Sequence, residues 1–330
     1  MGTEFRKLLG CLTCASIALP NLAWGQVATM PAAVQERLRQ VGPGWGRDIN
    51  GNIAKTLEVY APLLAAAPKD GVKITRDTAY GPDPRHRLDV HEPVPRKADD
   101  GRGSAILLFF HGGAYVRGDR NVHAEVYGNI ATYFARQGLI GINGTYRLAP
   151  GAQWPAAAQD VGRAVAWARE NASRLGGDPS RIYLMGHSAG ATHVATYAFH
   201  REAQPQSGHG LAGIILMSGR YLFDPSPDDP NLRNFEAYFG TDRARYAAMS
   251  PINHVKTAKD LPTFVIVAEY DNPDLDTQGA MLLSALCQRD RACPRFTRMA
   301  HHNHLSMTYQ FNTRDEAIGR EILEFIALGR

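Results

Sequence analysis

The sequence is poor in several features that would narrow its class at once. Its 330 residues hold only four cysteines, too few to build a disulfide scaffold. Neither sign of charge dominates. Lys and Arg number 36 against 32 Asp and Glu, a formal net charge of +4. The charges are spread without a long basic run or an aromatic–basic stripe, so nothing points to a nucleic-acid partner. There is no internal repeat, no low-complexity tract and no linker marking a second domain. Beyond the N-terminus no segment reaches the roughly 18 consecutive apolar residues that a membrane-spanning helix needs. What remains is an ordinary globular composition, 44% hydrophobic and 21% charged. A chain of this length can bury one large core or two smaller ones.

The first 25 residues read as an address. Arg6 and Lys7 form a short basic start, and residues 8–23 are apolar and small. Ala23-Trp24-Gly25 then places small residues at positions −3 and −1 of a cleavage before Gln26. That order of features is a secretory signal peptide, and it implies a secreted or periplasmic mature protein. Cys11 and Cys14 would leave with it. Cys287 and Cys293, six apart at the end of a helical pattern and just before Pro294, are then expected to form a local disulfide in an oxidising compartment.

Beyond the signal, residues 26–70 read as an irregular helical cap segment, broken at Gly42-Pro43-Gly44-Trp45-Gly46. From residue 71 onward strands and helices alternate. Strands are expected at 72–80, 87–91, 105–110, 139–146, 181–186, 211–217, 263–268 and 295–299. Helices are expected at 124–137, 156–175, 189–201, 276–287 and 313–328. This alternation predicts an α/β fold, a mostly parallel sheet with helices on both faces. Residues 220–256, rich in Pro and Asp, interrupt it as a cap-like insertion, and Trp45 is a candidate lining residue of the covered site.

Two motifs carry chemistry. Gly186-His187-Ser188-Ala189-Gly190 fits G-x-S-x-G, between an expected buried strand and an expected helix. In that context the serine sits on a sharp turn that only small neighbours permit, and the helix start directs N–H groups at whatever reacts there. Ser188 is therefore the candidate nucleophile, with His187 and Tyr115 as candidate substrate contacts. His111-Gly112-Gly113-Ala114-Tyr115 follows the apolar run 105–110. The backbone N–H groups of Gly112, Gly113 and Ala189 are candidate donors to a developing oxyanion. A serine nucleophile needs a base and an acid, and where G-x-S-x-G forms a strand-to-helix elbow these follow the serine along the chain. His301, His302 and His304 are available for the first role, Glu269 and Asp271 for the second. Three clustered histidines without a carboxylate or cysteine at ligand spacing do not make a metal site. Asp160 on the long helix reads as a buried structural acceptor.

From about residue 70 to the end, the chain resembles an α/β-hydrolase, and within that fold the hormone-sensitive-lipase-like and kynurenine-formamidase-like esterases. Three ordered segments carry the likeness: H-G-G-A-Y, then Tyr146-Arg147-Leu148-Ala149-Pro150 with Pro155-Ala156 and Asp160, then G-H-S-A-G. Ala114 departs from H-G-G-G, which leaves Gly112, Gly113 and Ala189 as the donors. The resemblance puts the base on His304, in Asn303-His304-Leu305-Ser306, and the acid on Asp271, in Ala268-Glu269-Tyr270-Asp271. It implies a carboxylesterase on small short-chain or aryl esters, working through an acyl-enzyme without a cofactor. An arylformamidase-like amide hydrolase with the same triad is the alternative. A hydrolase fold kept as a non-catalytic binding protein is a more distant one.

Overall fold

Short apolar runs bounded by Gly, Pro and Asp become the strands of one sheet. The computed structural model describes residues 30–95, 103–123 and 125–329; residues 1–25, expected to be a signal segment, and their two cysteines lie outside them. The strands are β1 (Val72–Ala79), β2 (Arg87–Pro93), β3 (Ser104–Phe110), β4 (Ile140–Gly144), β5 (Gly177–His187), β6 (Gly213–Met217), β7 (Thr263–Tyr270) and β8 (Arg295–Asn303). They lie in the order β1-β2-β4-β3-β5-β6-β7-β8. β1 and β2 pair antiparallel at one edge, and β4 through β8 run parallel. β3, β4 and β6 are buried almost end to end, as strands covered on both faces must be, while β1 at the edge is largely exposed.

The helices are α1 (Ala32–Val41), α2 (Ile49–Ala65), α3 (Val126–Arg136), α4 (Ala156–Leu175), α5 (Ala189–Phe199), α6 (Leu232–Phe239), α7 (Tyr246–Met249), α8 (Leu275–Asp290), α9 (Ser306–Tyr309) and α10 (Ala317–Leu328). Alternate residues of β3 feed two cores. Ile106, Leu108 and Phe110 pack with the alanine- and valine-rich faces of α4 and α5. Leu107 and Phe109 pack with Ile130 and Phe134 of α3 and with Ile322 and Phe325 of α10. Asp160 on α4 is fully buried, and Arg147 (2.7 Å) and His86 (2.9 Å) meet its carboxylate, so it is the structural acceptor expected.

Two segments outside the alternation attach to different cores. The N-terminal segment buries Leu38, Tyr60 and Leu64 in the core beneath α3 and α10. The insertion after β6 buries Phe223, Phe235, Tyr238 and Phe239 in the other. Both reach the C-terminal edge of the parallel strands, where ligands of such sheets bind. Element ends shift by a few residues from expectation. The closing helix starts at Ala317 because the Thr313 hydroxyl turns back onto the Gln310 carbonyl (2.5 Å). β5 starts at Gly177 because that residue pairs with Ser104 of β3.

Candidate active site

The sharp turn read from the sequence is present. Ser188 joins β5 to α5 at φ 56° and ψ −123°, a conformation that L-residues rarely adopt. A Cβ on Gly186 would stand 2.5 Å from the Gly190 carbonyl oxygen, and one on Gly190 would collide with the carbonyls of Phe110 and His111. The elbow therefore closes only with glycine at both positions. The Ser188 N–H donates to the Met217 carbonyl (2.8 Å), which ties the turn to β6.

β3 ends in register with β5, Phe110 beside Gly186, so the His111-Gly112-Gly113 loop emerges next to the serine. A Cβ on Gly112 would lie 2.8 Å from that of Ser188. The loop is held from behind. His111 is fully buried, and burial pushes its pKa down to about 4, so the ring is neutral; Nδ1–H donates to the Gly112 carbonyl (2.6 Å). Its ring stacks on Tyr146 with centroids 4.6 Å apart, and the Tyr146 hydroxyl donates to the His111 carbonyl (2.8 Å). Among the described residues, the N–H groups of Gly112, Gly113 and Ala189 have no backbone acceptor.

The three clustered histidines separate in space. His304 Nδ1 donates to Asp271 Oδ1 at 2.7 Å, both side chains nearly enclosed. His302 is bound elsewhere, to Ser306 Oγ (3.0 Å) and Asp315 (3.3 Å). Glu269 accepts from the His301 backbone N–H (2.6 Å), so it fixes the loop. The Asp271 carboxylate collects four donors. The Asn272 N–H (2.8 Å) joins His304 on Oδ1, and the Ala268 N–H (3.1 Å) and the Ser218 hydroxyl share Oδ2. His187 lies against His304, ring centroids 4.5 Å apart, and its Nε2–H donates to the His304 carbonyl (2.8 Å). Burial, reinforced by the neighbouring His304, holds His187 neutral, well below the range of a free histidine.

Ser188, His304 and the Gly112-Gly113 loop line one cavity of about 480 Å³. Trp45 and Tyr115 also border it, but from within the wall, at 1% and 6% exposure. Trp45 Nε1–H donates to Asn272 Oδ1 (2.8 Å), and Tyr115 stacks on Tyr238 at 5.4 Å, joining the oxyanion-side loop to the insertion. Ser218 was not singled out from the sequence, although a serine directly after a buried strand, between nucleophile and acid, is a usable signal. Among the described residues no group of three or more His, Cys, Asp or Glu is arranged to hold a metal, and no helix is long and apolar enough to cross a membrane. Cys287 near the end of α8 and Cys293 just before β8 form a disulfide, Cα atoms 4.2 Å apart.

A family model for the alpha/beta hydrolase fold matches residues 107–305, more than half of the chain. Esterase LipC of Mycobacterium tuberculosis (strain ATCC 25618 / H37Rv) is 36% identical over 154 residues, covering 44% of this chain and 36% of that protein. Esterase LipQ of the same organism is 27% identical over 272 residues, covering 77% and 62%. An arylesterase of Saccharolobus solfataricus is 33% identical over 134 residues, covering 40% and 41%. The chain thus spans 36% to 62% of the length of these curated relatives. Among solved structures, esterase B from Lactobacillus rhamnosis (HN001) aligns with a TM-score of 0.66 at 20% identity, over 91% of this chain and 96% of that one. A hyperthermophilic esterase from Pyrobaculum calidifontis gives 0.64 at 21%, over 90% and 98%. At those identities the structural likeness speaks for the fold.

Proposed function

The chain belongs to the alpha/beta hydrolase fold family, and from that premise we propose that it is a carboxylesterase acting on small short-chain or aryl esters. One observation carries the reading: a serine held on a strained elbow shares a cavity with a histidine whose far nitrogen is bound to a buried carboxylate. In the proposed reaction Ser188 Oγ attacks the ester carbonyl as His304 Nε2 takes its proton. Asp271 holds the ring's tautomer and steadies the imidazolium. The carbonyl oxygen becomes an oxyanion on the N–H groups of Gly112, Gly113 and Ala189. The intermediate collapses, the alcohol leaves with the proton from His304, and the acyl group stays on Ser188. Water then gives a proton to His304 and attacks the acyl-enzyme, the acid departs, and Ser188 recovers its proton.

The test pairs labelling with kinetics. A fluorophosphonate should modify Ser188 in the folded protein, and p-nitrophenyl butyrate should be turned over with higher kcat/KM than N-formyl aryl amides. No adduct would remove the nucleophile. A dominant formamide would move the activity to amide hydrolysis.

The same reading includes export. The basic, apolar and small-residue order of residues 1–25 supports a secretory signal, and a disulfide is stable in an oxidising compartment. Protein recovered from the exported fraction should begin at Gln26. Recovery of the intact N-terminus from the cytosol would defeat this.

A further inference from the structure

The cavity has two chemically different walls. On one side Ile49 and Ile53 of α2, Val126 and Tyr127 of α3, and Leu305 and Tyr309 beside the proposed base make a mostly apolar and aromatic surface, with Asn50 also lining the cavity. From the insertion after β6 come Arg220, Asp229, Asn231 and Asn234. Arg220 is 8% exposed, and its Nη2 is bound to Asp229 at 2.5 Å. Its backbone N–H is held by Thr192 Oγ1 (3.1 Å), and its guanidinium lies over Phe235, 6.0 Å from the centroid. Among the described residues Nε and Nη1 have no hydrogen-bond partner, and neither have the side-chain amides of Asn231 and Asn234. The proposed reaction uses none of these groups.

These polar groups face the open cavity, where water or a ligand can meet them. Asp229 cancels the charge of Arg220, and its other oxygen accepts from the Asn231 N–H (2.8 Å), so this wall is polar without net charge. A ligand carboxylate would face Asp229 as well as Arg220. Hydroxyl groups, each both donor and acceptor, match guanidinium donors and amides that do both. We propose that the substrate is a two-sided ester, one half apolar or aromatic and the other polyhydroxylated and uncharged, with Arg220, Asn231 and Asn234 binding the hydroxylated half. This rests on Ser188 being the esterase nucleophile.

The experiment compares matched esters in both orientations: glyceryl benzoate with propyl benzoate, and benzyl glycerate with benzyl butyrate. The native protein should prefer the hydroxylated member of at least one pair by tenfold or more in kcat/KM. In Asn234→Leu, and in Arg220→Met combined with Asp229→Asn, that preference should fall to within about twofold. Asn234 is partly exposed, so its variant carries the test even if the double variant fails to fold. In parallel, Ser188→Ala protein is titrated calorimetrically with the matching ethers, glyceryl benzyl ether and propyl benzyl ether. Ester turnover with parity in both pairs overturns the proposal and leaves the esterase reading standing. Preferential binding of the glyceryl ether without turnover of any ester overturns the esterase reading and leaves the subsite standing. Parity of the ethers together with no turnover overturns both.

Discussion

His187, one residue before the proposed nucleophile Ser188, donates its Nε2–H to the backbone carbonyl of His304, 117 positions further along the chain. The elbow and the base loop are thereby locked to each other, with the two rings in contact. Because burial keeps His187 neutral, the lock adds no positive charge beside the imidazole that becomes cationic in the proposed reaction. His187→Phe keeps a ring and loses the bond. A hydrogen bond is worth about 1 kcal/mol, so kcat should fall by roughly five- to tenfold, with KM within about twofold of the native value. Steady-state kinetics on p-nitrophenyl butyrate decides this. A raised KM at unchanged kcat would make His187 a substrate contact instead.

Ser218 acts one step further out, as a donor to the Asp271 carboxylate. Hydrogen bonds to charged groups are worth about 1.5–3 kcal/mol, so Ser218→Ala should lower kcat by tenfold or more with little change in KM. Ser218 also sits at φ 50°, where glycine is comfortable and alanine is not. Ser218→Gly separates the two effects. If the lost donor is responsible, both variants slow; full activity in the glycine variant, which also lacks the hydroxyl, would show that the donor is not needed.

The reach of sequence reading follows from where each constraint is set. The elbow is a local steric problem, so Gly186, Ser188 and Gly190 announce it within five residues. Strand and helix alternation is equally local, and it led to the sheet. The sequence reaches His304 rather than His302 only through the resemblance, because their partners are set by packing: Ser306 and Asp315 occupy His302, while Asp271 occupies His304. Ser218 meets Asp271 across 53 positions, and Trp45 meets Asn272 across 227. Those partners are set by the order β5-β6-β7-β8 and by where the N-terminal segment docks, which no spacing along the chain encodes.

Three buried histidines give the fold an acid limit. Burial lowers His193 to about 3 and His91 and His111 to about 4. An unfolded chain takes up the same protons near pH 6.5. Folded-state pKa values are therefore depressed for groups that are neutral at high pH. Their stabilising effect is complete above about pH 6.5 and drains as the pH falls toward 4 for His91 and His111 and toward 3 for His193, by up to ~1.4 kcal/mol per pH unit for each histidine. His193 sits among the rings of Tyr115, Tyr146 and Tyr238, and its Nε2 has no partner. His193→Phe should therefore lose about 2 kcal/mol less than the native protein between pH 7.5 and pH 5. Urea unfolding at the two pH values measures the difference. Equal losses in both proteins would show that His193 does not contribute.

The N-terminal segment reads from the sequence as a cap, and its contacts predict that it behaves as core. Trp45 is 1% exposed and bonded to Asn272, the residue after Asp271. Gly42 lies against the ring of Tyr270, whose carbonyl accepts the His304 N–H (3.1 Å). Thr56 Oγ1 accepts from Asn303 beside the base (2.9 Å). A detachable lid would show its own early transition and leave the rest folded. A segment woven into both catalytic loops should melt with them. Trp45→Ala should cost on the order of 3–5 kcal/mol, as loss of a buried tryptophan does, in a single transition seen alike by far-UV circular dichroism and by activity. Trp45→Phe, which fills most of the space but cannot bond Asn272, should cost about 1 kcal/mol and lower kcat more than it changes KM. A Trp45→Ala protein of native stability with a raised KM would make the segment a lid after all.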